Sequence, residues 1–323
     1  MASTQTAAPR GATFTDYYET IVSNIEHVIQ GKRDVIELML LCLVSEGHLL
    51  LEDVPGVGKT NLAKSLATSI KCSFGRVQFT PDLLPSDVVG ITVWNRGDNS
   101  FDFRPGPVFN NIVLADEINR ASPKTQAALL EAMAEDQVTV DGVTYPLARP
   151  FMVIATQNPI EHEGTYPLPE SQLDRFLMRV SVGYPSPSAE LEILDTHGDH
   201  DPFRDLQSVL THDDVERMAQ ATRQVHVAPS LKGYLVDVAQ ATRRSAHLAL
   251  GVSPRATLAL QRVARARAAA AGRGYVIPDD LKALAVPVLA HRLIATPEAQ
   301  LGGIGPADAL AEVLRAVPVP GGH

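Results

Sequence analysis

Asp53-Val54-Pro55-Gly56-Val57-Gly58-Lys59-Thr60 is the stretch on which the reading of this chain turns. It follows an apolar run, Leu49-Leu50-Leu51, and opens a helix-patterned segment from Asn61 to Ile70. Strand, glycine-rich turn, Lys-Thr and helix in that order are the context of a phosphate-binding loop. Glycines let backbone N–H groups curl around an anion, lysine places a point charge on the outer phosphates, and threonine can ligate Mg²⁺. The helix that follows turns its positive end toward the same anion. Pro55, Gly56, Val57, Gly58, Lys59, Thr60 and Asn61 are therefore expected to hold a nucleoside triphosphate. One position departs from the general pattern, which opens with glycine where this chain has Asp53. A carboxylate there is unfavourable to phosphate unless it points away.

Outward from this loop, the 323 residues are enough for two domains. Hydrophobic content of 45% and charged content of 20% are those of a soluble globular protein. A net charge of −9 argues against bulk, sequence-independent nucleic-acid binding, which needs clustered Lys and Arg. Cys42 and Cys72 lie on apolar segments without metal or redox spacing and are expected to be buried free thiols. Residues 1–12 are small and polar, with no signal-peptide core, and read as a disordered tail. The longest apolar run, Leu38 to Val44, is too short to span a bilayer. A cytoplasmic location without membrane insertion is the expectation.

A helical pattern fills Tyr17 to Val44. Five apolar runs then read as buried parallel strands: His48–Leu51, Arg76–Phe79, Ile112–Ala115, Phe151–Ala155 and Met178–Val182. Helical patterns at Asn61–Ile70 and Ser122–Ala134 lie between them, which argues a doubly wound α/β sheet. Two hairpins interrupt it. One spans Ile91 to Phe103 around Arg96-Gly97-Asp98-Asn99; the other turns at Asp141-Gly142, a pair suited to a type I′ turn. After Tyr184-Pro185-Ser186-Pro187-Ser188 no strand pattern remains. Helices are expected at Ala189–Thr196, Asp213–Gln224, Pro229–Ala246, Pro254–Ala271 and Asp279–His291. This divides the chain into a core over 13–187 and a helical domain over 188–323, jointed at the prolines. Arg262, Arg265, Arg267 and Arg273 read as a solvated helix face.

Hydrolysis of a triphosphate needs acidic groups for the metal and for the attacking water. Asn111-Ile112-Val113-Leu114-Ala115-Asp116-Glu117 brings a buried strand to two carboxylates at the edge where ligands bind in such sheets. Asp116 would share Mg²⁺ with Thr60, and Glu117 would polarise the water. The strand Phe151–Ala155 runs into Thr156-Gln157-Asn158-Pro159, where Asn158 can orient both phosphate and water.

These residues carry a family resemblance. Val54 to Thr60, Leu114-Ala115-Asp116-Glu117-Ile118-Asn119-Arg120-Ala121 and Ala155 to Pro159 resemble the motifs of AAA+ ATPases. Glu163-Gly164-Thr165-Tyr166-Pro167-Leu168-Pro169-Glu170-Ser171-Gln172-Leu173-Asp174-Arg175-Phe176 is similar to the signature of the MoxR group, as is Arg104-Pro105-Gly106-Pro107-Val108-Phe109. The resemblance implies an AAA+ P-loop core with a five-stranded parallel sheet and a C-terminal all-helical lid. It implies that Arg175 is an arginine finger reaching a neighbouring subunit's γ-phosphate. It implies that Arg255 is the sensor 2 arginine, contacting the γ-phosphate of its own subunit, and that Ile29, within Val28-Ile29-Gln30-Gly31, lies against adenine. The hairpin Ile91–Phe103 corresponds to the helix 2 insert of that clade, and the second hairpin to the one before sensor 1. The implied function is ATP hydrolysis with Mg²⁺ in a homo-oligomeric, hexameric ring that remodels client proteins. The resemblance also implies work alongside partner proteins bearing a von Willebrand factor A domain, in assembly, maturation or metal-cofactor insertion. The rival readings are a nucleic-acid motor, disfavoured by the acidic charge, and an ATP-gated scaffold with little turnover, which Asp53 leaves open.

Overall fold

The computed structural model of the chain describes residues 12–53, 56–158, 164–188, 190–191 and 202–320. All but one residue of the expected tail, Pro55 of the phosphate loop, Pro159 and Glu163 of the later motifs, and most of the expected helix Ala189–Thr196 lie outside the described residues. Along the chain run α1 (Phe14–Glu26), α2 (Arg33–Val44), β1 (Leu49–Glu52), α3 (Lys59–Ser69), β2 (Phe74–Gln78), α4 (Pro85–Val89), β3 (Gly90–Asn95), β4 (Ser100–Pro105), β5 (Ile112–Asp116), α5 (Pro123–Glu135), β6 (Gln137–Val140), β7 (Val143–Pro146), β8 (Met152–Gln157), α6 (Glu170–Leu173) and β9 (Met178–Val180).

Five strands form one sheet in the order β2-β5-β8-β1-β9, every neighbouring pair parallel. These are the five runs expected from the sequence, and the absence of alternation in them has a plain cause. Leu49 and Leu51, Ile112 and Leu114, Met152 and Ile154 enter one hydrophobic cluster. Leu50, Val113, Ala115, Val153 and Ala155 enter a second on the opposite face. A strand buried on both faces has no polar side to show. The helical pattern Tyr17–Val44 is two helices rather than one: residues 27–32 separate α1 from α2, with Gly31 at φ +68°.

Both hairpins are present. β3 pairs antiparallel with β4, and β6 with β7. Asp141 and Gly142 take φ +50° and +79°, the left-handed pair that a two-residue hairpin turn requires. Phe103 of the first hairpin stacks on Tyr145 of the second, with ring centroids 4.1 Å apart, so the two brace each other. Trp94 and Phe101, both exposed, meet edge-on at 4.8 Å on the first hairpin.

The C-terminal region is helical, with helices His212–Gln224, Pro229–Arg244, Pro254–Ala270, Pro278–Leu289, Pro297–Leu301 and Pro306–Ala316. It also holds a short antiparallel pair, Leu248–Leu250 with Ile294–Ala295, that the sequence pattern does not announce. Its apolar side chains, among them Leu260, Val263, Leu284 and Leu310, belong to the same hydrophobic cluster as α1, α2 and one face of the sheet. The arginines expected on one solvated face divide their work. Arg273 reaches the buried carboxylate of Asp280 with two hydrogen bonds, at 2.8 and 2.7 Å, and Arg267 lies 3.5 Å from it.

Two buried histidines tie layers together. His48 Nδ1 accepts from the Val153 N–H at 3.0 Å, and its Nε2 lies 2.9 Å from the Met133 carbonyl, the arrangement of a neutral ring. His291 Nε2 lies 3.1 Å from the Phe176 carbonyl. Burial pushes the pKa of His48 down to about 4, and burial together with Arg292 pushes that of His291 down to about 3. Each folded pKa lies below its unfolded value near 6.5, so the unfolded chain binds the extra proton and the stability these rings supply is lost as pH falls. Between about pH 7.5 and about pH 5 each histidine is expected to remove about 2 kcal/mol of stability. Denaturant unfolding at the two values checks this; equal stability at both would refute it.

Candidate active site

The phosphate loop lies between β1 and α3. Gly58, at φ +84°, is the residue from which α3 starts, and Gly56 takes φ +88°. A Cβ on either would meet nothing within 4 Å, so backbone angle rather than crowding demands glycine, and the space above the loop is open. Lys59 opens the helix, and its Nζ donates to the Asp53 carbonyl at 2.9 Å. Burial lowers the Lys59 pKa, while Asp53, Asp116 and Glu117 oppose that shift. Lys59, Thr60, Asn61, Asp116, Glu117 and Asn158 line one cavity of about 270 Å³, together with Arg76. The sheet topology explains the convergence. β1, β5 and β8 are parallel neighbours or next neighbours: Lys59, Thr60 and Asn61 come after β1, Asp116 ends β5 with Glu117 next to it, and Asn158 follows β8, while Arg76 stands on β2 beside β5.

The Asp53 side chain does point away from that cavity. It is buried, and Oδ2 accepts from Ser181 Oγ at 3.1 Å, from the Val182 N–H, and from the Gly183 N–H at 2.9 Å. The reason for expecting it to disfavour phosphate is thereby removed.

At the end of β5, Thr156 is the organising residue, fully buried. Its hydroxyl donates to Asp116 Oδ1 at 2.7 Å and accepts from the Glu117 N–H at 2.8 Å. Glu117 sits at φ +56°, a left-handed turn that breaks the strand and swings its side chain off the sheet edge. Glu117 Oε2 accepts from Gln78 Nε2 at 2.8 Å and lies 3.3 Å from Arg120. Arg76 donates to both Gln78 Oε1 at 3.1 Å and Asp116 Oδ2 at 2.7 Å, which fixes which way round the Gln78 amide lies. Sequence reasoning gave Thr156, Gln78 and Arg76 no part in the site. The available signal was positional: Arg76 and Gln78 alternate on a strand, and the register pairs Gln78 with Asp116.

Thr60 and Asp116 offer a hydroxyl and a carboxylate in the same cavity, the all-oxygen donor set that Mg²⁺ accepts. Among the described residues no group of three His, Cys, Asp or Glu side chains forms a dedicated metal cluster. A cation here would complete its shell from phosphate and water, as Mg²⁺ commonly does. It would compete with Arg76 for Asp116, a half-exposed ion pair of small energetic worth.

Arg175 and Arg255 are elsewhere. Arg175 precedes β9, so in a parallel sheet it lies at the end opposite the phosphate loop. Its Nη1 donates to the Leu130 carbonyl at 2.6 Å. Arg255 does not meet its own subunit's phosphate cavity, as the resemblance implied; it lies 3.7 Å from Asp174, because the helix Pro254–Ala270 packs beside the amino end of the sheet. Arg175, Arg255, Arg262 and Arg292 line a second cavity of about 350 Å³ around Asp174. Arg292 is the buried member, with Nε 2.9 Å from Asp174, and burial pushes its pKa down to about 10 while Asp174 opposes the shift. Ile29 lies in the turn between α1 and α2, largely inside the core.

A profile described as an ATPase family associated with various cellular activities (AAA) matches residues 48–178, and an AAA lid domain profile matches residues 240–313. YeaC of Bacillus subtilis, itself uncharacterised, is 51% identical over 93% of each chain. Chaperone MoxR1 of Mycobacterium tuberculosis is 43% identical over 94% of this chain and 82% of its own. A solved structure of a protein from Cytophaga hutchinsonii superposes with a TM-score of 0.89 at 38% identity, covering 95% of this chain and 96% of that one. Core, lid and site together define a nucleotide-binding module with a helical lid. The chain belongs to the MoxR family of AAA+ ATPases.

Replacing Thr156 by Val keeps the shape but strands the Glu117 N–H and one Asp116 oxygen. Thr156→Val is expected to cost about 1–3 kcal/mol of unfolding free energy, and Thr156→Ser much less. Thermal unfolding of the two variants checks this; equal losses would refute the bridging role of the hydroxyl.

Proposed function

We propose that this protein hydrolyses ATP at sites shared between subunits of a homo-oligomeric ring, a hexamer, and uses the energy to remodel client proteins. The observation that carries the proposal is the separation of its two charged centres. Lys59, Asp116, Glu117 and Asn158 lie at the carboxyl end of the sheet, whereas Arg175 and Arg255 lie at the amino end. Strands of four to six residues hold these ends roughly 15 Å apart, too far for an arginine to serve its own subunit's loop. Arginines that cannot serve their own site are suited to a neighbour's.

In this reading the loop glycines and Lys59 hold the phosphates, and Asn61 and Ile29 contact the nucleotide. Thr60 and Asp116 would hold Mg²⁺, which when bound neutralises charge across the β- and γ-phosphates. Glu117, kept in place by Gln78 and Arg120, takes the proton of the attacking water. The water oxygen bonds to the γ-phosphorus as the bridging bond to ADP breaks, and Asn158 holds the line of attack. Arg175 and Arg255 of the neighbour neutralise the charge that develops. The chaperone name of the Mycobacterium relative supports work on protein clients. The family resemblance supports a partner with a von Willebrand factor A domain and tasks such as assembly, maturation or metal-cofactor insertion. The lid boundary near residue 188 and the reach of the hairpins toward clients belong to the same reading. Among the described residues no helix is long and apolar enough to cross a membrane.

Glu117→Gln is expected to keep nucleotide affinity within a few-fold and to lose turnover by about 10²–10⁴-fold; an unchanged hydrolysis rate would refute the role of Glu117. Subunit mixing tests the shared site. Lys59→Ala subunits mixed with Arg175→Ala, or with Arg255→Ala, should recover ATPase activity, because some interfaces then pair an intact loop with intact arginines. Zero activity at every ratio would refute the intersubunit arrangement.

A further inference from the structure

Asp53 stands where phosphate loops carry glycine, and the structure gives it three separate attachments. Its N–H donates to the Gln157 carbonyl at 3.1 Å, at the end of β8. Its carbonyl accepts from Lys59 Nζ at 2.9 Å. Its carboxylate accepts from Ser181, Val182 and Gly183, the residues that leave β9 toward the lid. The register shows why. Leu51 pairs with Val180, so continuing both strands brings Asp53 level with Val182 just where β1 peels away into the loop. The side chain replaces main-chain pairing that the loop cannot make. Gly183, at φ +65°, turns the chain so that two successive N–H groups face one carboxylate oxygen, a small anion nest. From the other side Lys32 Nζ donates to the carbonyls of Val182 and Tyr184. The Ser181 hydroxyl and the Val182 and Gly183 N–H groups are thus clasped by Asp53 at the phosphate loop, and the Val182 and Tyr184 carbonyls by Lys32 at the start of α2.

We propose that Asp53 is a positioning residue that couples the phosphate loop to the connection between core and lid. The proposal rests on the reading of the loop as a nucleotide site. Lys59 holds the Asp53 carbonyl, and a phosphate drawing on the same ammonium shares or takes that hydrogen bond. The Asp53 peptide then shifts, and its carboxylate carries the shift to Val182 and Gly183. A glycine at this position would bind phosphate without any such link.

Hydrogen–deuterium exchange on the full-length protein, alone and with ADP or a slowly hydrolysed ATP analogue, tests this. In the wild type, exchange at residues 181–184 should be slow and should change when nucleotide binds. In Asp53→Asn it should rise roughly tenfold or more, with nucleotide affinity kept within a few-fold and the nucleotide-dependent change at 181–184 lost. Faster exchange with the nucleotide response intact would make Asp53 a structural prop and overturn the coupling, as would exchange identical to wild type. Lys32→Ala, which loosens the same peptides from outside the phosphate site, is the second variant should Asp53→Asn not fold. It should also speed exchange at 181–184 and blunt the nucleotide response, and wild-type behaviour would overturn the proposal. A wild type that bound no nucleotide would refute the site instead, and the variants compared without nucleotide would still decide whether the clasp exists.

Discussion

Parallel pairing sends the carboxyl ends of all five strands to one edge of the sheet, and the arrangement of charge in this molecule follows from that. Loops leaving β1, β5 and β8 must meet at that edge, and they carry Lys59, Asp116, Glu117 and Asn158. A residue that precedes a strand must lie at the other edge, and Arg175 precedes β9. No rotamer change can bring the two groups together, because the sheet itself stands between them. One molecule therefore carries the phosphate loop and its acidic groups on one edge and a cluster of arginines on the other.

The lid does not hang from this sheet by a flexible joint alone. Its leucines and valines share a hydrophobic cluster with α1, α2 and one sheet face, so large rigid-body separation would expose much apolar surface. Polar contacts between core and lid are spread over the seam: Asn24 donates to the Gln207 carbonyl, and the N–H groups of Val209 and Leu210 donate to the Ser69 carbonyl. Within the core, at the carboxyl edge, Asp53 and Lys32 hold the segment 181–184 that leads toward the lid. At the amino edge His291 and Arg292 hold the Phe176 carbonyl, and Arg292 pairs with Asp174.

Much of this was legible in the residues. The five strands, both hairpins and the helical character of the lid follow from hydrophobic pattern and turn chemistry, and the loop and its acidic partner follow from residue type in context. What the sequence could not show has a common cause: it depends on which strands become neighbours. Thr156 was quoted within a motif, yet its bridge from Asp116 to the Glu117 N–H exists only because β5 lies beside β8. Gln78 and Arg76 reach the acidic pair only because β2 lies on the other side of β5. Arg255 was assigned to its own subunit's phosphate, and only the packing of the lid against the amino edge reveals it beside Asp174. Residues 27–32 break one expected helix into two at a left-handed Gly31, which hydrophobic periodicity across the break conceals.

Trp94 is the single tryptophan of the chain, and it lies half-exposed on the first hairpin, edge-on to Phe101. Selectively excited tryptophan emission from this protein therefore originates at one place, on a two-stranded sheet separate from the five-stranded one that carries the phosphate loop. Its intensity and wavelength report whether that ring is wet or covered. The molecule carries a built-in optical label on that hairpin, and quenching by a soluble collider would read out shielding of the hairpin directly, without any added dye.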